Sequence, residues 1–149
     1  MREILFRGKR ADNGEWVEGD LLNYLGWGKV HIAQNFKGAG GQEVLPETVG
    51  QYTGLCDKNG KKIFEGDIIK TDSGRRKAKT VVKYGAFKPK MFFDLFEKFI
   101  GTRPKEMLYG LFATSIRTDE EVFLSDNSNL IEVIGNIHDN PEQLKEGAE

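Results

Sequence analysis

The Asn59-Gly60 pair constrains this chain more than any other feature. It lies between Gln51-Tyr52-Thr53-Gly54-Leu55 and Ile63-Phe64, with Asp57-Lys58 before it and Lys61-Lys62 after. A two-residue type I′ loop needs positive φ at both central positions, which Asn and Gly reach at little cost. Asn-Gly between two apolar segments therefore predicts a β-hairpin. Glu65-Gly66-Asp67 predicts a second tight turn leading into Ile68-Ile69-Lys70. After a polar loop from Asp72 to Arg76, Thr80-Val81-Val82-Lys83-Tyr84 reads as another strand. Short, closely spaced strands punctuated by glycine predict a small barrel rather than a helix–sheet sandwich. Strand, polar loop and strand in this order suit an SH3-like barrel.

The remaining segments extend the same reading. Glu3 to Arg7, Trp16 to Tyr24 and Lys29 to Asn35 read as N-terminal strands, with turns at Asp12-Asn13-Gly14 and Gly26-Trp27-Gly28 and a loop over Lys37 to Gly41. Phe92, Phe96 and Phe99 recur at helical spacing with Leu95 beside them, which predicts an inserted short helix over Met91 to Ile100, stopped by Gly101. Phe93 and Leu95 also alternate, so a strand stays open there. Met107 to Ile116, Glu121 to Leu124 and Leu130 to Ile137 read as strands. Asn140-Pro141 predicts a cap and an N1 proline for a last short helix. The 18 glycines and 10 phenylalanines favour turn-rich β structure over a bundle. The 149 residues fit a single domain 1–149, with N-terminal strands in 1–45, a barrel core at about 46–138 and an acidic tail over 139–149.

Several function classes find no support in the sequence. Cys56 is the single cysteine, so no internal disulfide can form, and two histidines are too few for a histidine-rich metal site. No apolar run approaches the roughly 20 residues of a membrane helix, and the N-terminus lacks the pattern of a signal peptide. The expected location is a reducing cytoplasm. No cofactor motif is present.

Three segments together resemble one known family. Trp16-Val17-Glu18-Gly19-Asp20 follows an Arg-Gly-Lys-Arg start; Pro46 to Leu55 runs into Asp57-Lys58-Asn59-Gly60-Lys61-Lys62-Ile63-Phe64-Glu65-Gly66-Asp67-Ile68-Ile69; and Glu132 to Glu142 closes the chain. This pattern resembles the YopX-like family of phage and prophage proteins. The likeness spans nearly the whole chain and is weak over Lys88 to Glu121. It implies an SH3-like barrel core and a phage or prophage origin, and it implies no particular biochemical activity. Cys56 departs from the family pattern, where a charged residue is common.

The candidate chemistry is sparse. Cys56 with His31 or His138 lacks an orienting third group, so Cys56 reads as a packed residue. Asp57-x-Asn59 begins like a calcium loop, but loop positions six and twelve hold Lys62 and Ile68, which leaves a hairpin turn. Gly38-Ala39-Gly40-Gly41 lacks the Gly-Lys-Ser/Thr of a phosphate loop. Glu65 with Asp67, and Asp119 to Glu121, read as turn and surface carboxylates.

One stretch carries a functional expectation. Seven basic residues and no acidic one lie between Arg75 and Lys90, whereas nine acidic residues and only Lys145 among the basic ones lie between Asp119 and Glu149. Arg75, Arg76, Lys77, Lys79 and Lys83, with Tyr84 and Phe87 for stacking, would suit a single-stranded nucleic acid. Against this stands a sequence pI near 6.2. The leading expectation is a non-enzymatic binding module with a protein partner; nucleic-acid binding through 75–90 comes second. A metal-dependent hydrolase using Glu65, Asp67 or His138 comes last. An exposed edge strand would allow self-association.

Overall fold

Burial differs between the first two strands. In the computed structural model β1 (Phe6–Lys9) buries the adjacent Arg7 and Gly8, whereas β2 (Trp16–Asn23) buries Val17 and Gly19 on either side of exposed Glu18, the period of two expected of a half-covered sheet. The structure describes residues 3–23, 28–34, 41–72, 74, 77–87, 97–98, 108–115, 121–123 and 130–145. Among these, the elements continue as β3 (Val30–Ala33), β4 (Gln42–Val44), β5 (Gly50–Cys56), β6 (Lys62–Phe64), β7 (Asp67–Asp72), β8 (Lys77–Phe87), β9 (Leu108–Ser115), β10 (Glu121–Phe123) and β11 (Ile131–Asn136). Short 3-10 helices cover Pro46–Thr48 and Pro141–Leu144. No helix of the described residues is long and apolar enough to cross a membrane.

The chain divides into two units, one of Met1–Gly54 with Lys62–Phe64 and one of Leu55–Lys61 with Glu65–Glu149. The first is built on a six-stranded sheet in the order β4-β3-β2-β1-β5-β6. Val17, Ile32 and Val44 form its buried cluster, packed by Phe6, Leu21, Val30 and Val49. The outer edge of β4 does not stay free. Leu45 donates its N–H to Lys9, Ala11 donates to Glu43, and Arg10 bridges Val44.

The second unit is a five-stranded antiparallel sheet in the order β10-β9-β8-β7-β11. Its last strand returns beside its first, so β11 pairs with β7 from Ile131↔Thr71 to Asn136↔Asp67, with a bulge between Val133 and Gly135. Ile69, Thr80 and Val82 are buried on one face, and Ile68 and Val81 on the other. A strand buried on both faces at one level accounts for the unbroken Ile68-Ile69 and Val81-Val82 runs.

Three expectations change. The mostly-β class holds, but the ladders form two antiparallel sheets and close into no barrel among the described residues. The cause is that β5, expected in the barrel core, hydrogen-bonds β1 through Phe6↔Gln51 and Arg7↔Gly50. The hairpin loop is not the two-residue type I′ either. Gly60 donates to the Asp57 carbonyl and Asp57 to the Lys61 carbonyl, so the central residues are Lys58 and Asn59, and Gly60 follows at φ 79°. This is the three-residue loop with a trailing glycine bulge. Asn140 precedes the last helix, as expected, yet makes no side-chain cap. Its Oδ1 accepts the Asn136 N–H at 3.2 Å instead. Of the helix expected over Met91 to Ile100, only Glu97 and Lys98 lie within the described residues, and both are helical.

Candidate functional site

The basic stretch falls on β8, and strand geometry sorts its residues by face. Lys77, Lys79, Val81 and Lys83 alternate with Ala78, Thr80, Val82 and Tyr84, so the lysines point one way and Tyr84 the other. Lys83 is exposed and Tyr84 is 52% exposed, on opposite faces of the sheet. Arg75 and Arg76 lie outside the described residues, and for Phe87 only its backbone pairing with Leu108 is described. Val81, between Lys79 and Lys83, is buried, which interrupts the lysine track.

The same face carries a transverse row of charge that the linear sequence hides. Lys79 is the register partner of Lys70 on β7, and Lys70 is the partner of Glu132 on β11. Glu132 in turn meets the Lys58 ammonium at 3.1 Å. The row thus holds three cations and one carboxylate across three strands and a loop. Like charges directly opposite one another destabilise a sheet. Lys79 is half-buried and donates its Nζ to the Gln143 Oε1 at 3.0 Å, a neutral acceptor. Beside the row, Lys77 lies 3.9 Å from Asp72, its register partner. Lys70 is exposed; its place in the row comes from strand register, which is why sequence reasoning missed it.

The carboxylates of the hairpin and its neighbours do structural work. Asp57, 4% exposed, accepts N–H groups from Asn59 and Lys61 on Oδ1, each at 2.9 Å, and from Val133 on Oδ2 at 3.0 Å. Burial is the largest single influence on this carboxyl and opposes its charge. The three N–H donors, with the Lys61 ammonium, outweigh it and hold the group below its ordinary range. Donors converge on Asp57 where a calcium loop would aim oxygens at a cation. Asp67 is 1% exposed at the start of β7, and Glu65 is half-buried in the preceding turn. Cys56 is half-buried at the end of β5 and forms no disulfide, and His138 is half-buried in the turn after β11. Among the described residues, no group of three or more His, Cys, Asp and Glu is arranged to hold a metal ion. The glycine loop Gly38-Ala39-Gly40 lies outside the described residues.

In the first unit the cations stack on rings. The Arg7 guanidinium, 9% exposed, lies 4.6 Å from the Trp16 ring centroid and 4.8 Å from that of Phe64. Lys9 lies 5.5 Å from Trp16, Lys62 lies 5.8 Å from Tyr52, and Tyr52 meets Phe64 at 5.5 Å. The result is a chain of alternating cations and rings, Lys9-Trp16-Arg7-Phe64, in which each cation is attracted to the electron-rich face of a ring.

The family model of the YopX protein matches residues 5–145, spanning both sheets, the Asp57 hairpin and the final 3-10 helix. The chain belongs to the YopX family. Among solved structures, this YopX-family chain is similar to protein EF1440 from Enterococcus faecalis, at 20% identity, with 97% of this chain and 100% of that chain covered and a TM-score of 0.46. No curated protein matches it.

Proposed function

We propose that this YopX-family chain is a non-enzymatic binding module of phage or prophage origin, working in the bacterial cytoplasm, whose partner is a protein with an acidic surface. The observation that carries the reading is the Lys58-Glu132-Lys70-Lys79 row. With three ammonium groups and one carboxylate, the row makes this sheet face net positive, which suits an acidic partner surface. The strand order β10-β9-β8-β7-β11, a meander whose last strand returns beside its first, also supports reading the second sheet as an SH3-like scaffold. Scaffolds of that kind present strand faces and loops to partners.

The test is capture from extracts of phage-infected bacteria, using wild-type protein beside the Lys70→Gln/Lys79→Gln variant. A partner retained by wild type and lost by the variant supports the reading. Equal retention by both removes the charge row from the interface. Purified protein that turns over a substrate would overturn the non-enzymatic assignment.

A second reading, nucleic-acid binding, draws on exposed Lys83 and Tyr84. Because these side chains leave opposite faces, one strand of nucleic acid could not both track Lys83 and stack on Tyr84 within this sheet face. Labelled single- and double-stranded DNA and RNA, titrated at low and physiological salt, test it. Salt-sensitive binding would favour this second reading over the protein partner.

A further inference from the structure

The second sheet ends on β11, whose outer edge faces away from β7. An edge of this kind offers N–H and C=O groups to any extended chain. The strand itself, Ile131-Glu132-Val133-Ile134-Gly135-Asn136, suits such pairing. It has three β-branched residues, one charge and no proline, the composition that favours strand-to-strand association.

That edge is blocked by side chains and a single loop. The Lys58 N–H donates to the Ile131 carbonyl at 2.9 Å, and the Val133 N–H donates to the Asp57 carboxylate at 3.0 Å. Further along, the Asn136 N–H donates to the Asn140 carboxamide at 3.2 Å. Lys58 also clamps Glu132 through its ammonium. Among the described residues no strand lies here; an aspartate, an asparagine and one turn amide occupy the positions a strand would take.

We infer that the Asp57-Lys58 loop and Asn140 form a guard that keeps β11 from pairing with β11 of a second copy of this chain. A second copy fits the edge by symmetry. In antiparallel pairing centred on Val133, Val133 meets its own counterpart, and the bulge at Ile134 lies just beyond it on each strand. The outward Val133 N–H, once released from Asp57, then has the other copy's carbonyl as its acceptor. The guard shares Lys58 and Glu132 with the charge row but does not depend on that row's partner.

The experiment uses the full chain and reads self-association by sedimentation across a concentration series. Asp57→Asn keeps an Oδ1 for the Asn59 and Lys61 N–H groups, so the turn survives, but it turns an amide donor toward the Val133 N–H and lifts the guard. Lys58→Pro removes the Ile131 contact at a turn position that favours proline. Each variant is expected to self-associate at least about tenfold more tightly than wild type, the equivalent of about 1.4 kcal/mol. Adding Val133→Pro to Asp57→Asn removes the outward N–H at an edge position where proline is tolerated, and should restore the wild-type state. Folded single variants that associate no more than wild type overturn the inference. So does a double variant that stays associated, because the contact would then lie elsewhere. If Asp57→Asn does not fold, Lys58→Pro decides alone.

Discussion

The Asp57 carboxylate holds the Val133 backbone N–H at 3.0 Å across 76 positions of sequence. It does so while closing its own hairpin through Asn59 and Lys61. One buried side chain therefore joins a local turn to the last strand of the second sheet.

Replacing Asp57 should be among the most costly single changes in this chain. Asp57→Ala leaves three N–H groups without their acceptor, and hydrogen bonds to a charged group contribute about 1.5–3 kcal/mol each. Because such contributions do not add, a loss of roughly 3 kcal/mol in urea denaturation is expected. Asp57→Asn should lose less, since the turn bonds persist. Equal losses would show that the two turn bonds contribute nothing beyond the Val133 bond.

Acid should weaken the same contact. Because the folded carboxyl titrates below its unfolded value of about 3.9, its contribution is complete above that value and is lost as pH falls through the folded pKa. The stability gap between wild type and Asp57→Asn should therefore narrow as pH drops below about 4. A gap that stays constant into strong acid would show that Asp57 carries no such depressed pKa.

Gly135 tests how the turn after β11 is packed. A Cβ at this position would lie 2.5 Å from Asn140 Oδ1. Gly135→Ala must push the carboxamide aside and release the Asn136 N–H, a loss of about 1 kcal/mol measurable by chemical denaturation. Asn140→Ala would keep a Cβ 3.0 Å from the new methyl, so the matching pair uses glycine: Gly135→Ala with Asn140→Gly should be no less stable than Asn140→Gly alone. A further loss would place the strain elsewhere.

Arg7 tests the stack in the first unit. Arg7→Lys keeps the charge and loses the planar group between Trp16 and Phe64, so a loss of about 1–2 kcal/mol is expected. Arg7→Met, apolar and flexible, should then be tolerated no worse than Arg7→Lys. If lysine proves neutral, charge rather than planarity holds the position.

Legibility in the sequence followed the range of the interaction. The Ile68-Ile69 and Val81-Val82 runs and the turn at Gly66 are local signals, and each lies where the pattern places it. The Asn59-Gly60 signal marked a real hairpin but the wrong turn type, because the turn opens at Asp57, so Asn59 is its second central residue and only Gly60 trails it. Periodicity also gives no information on which strands pair. That β5 joins β1, and that Lys70 faces Lys79, are facts of register between distant segments. The lysines of β8 were visible as a run, yet a run does not say that Tyr84 leaves by the opposite face.

The Asp57 contact also has a consequence in time. During synthesis the hairpin leaves the ribosome well before Val133 exists, so the carboxylate must wait in water for its third donor. The pairing of β7 with β11 waits with it, whereas β7 and β8 can already meet. Arrival of the final strand is then the event that removes the carboxylate from solvent and locks the sheet. Nascent chains stalled before Ile131 should stay open to protease around Asp57, and chains released beyond Asn140 should not.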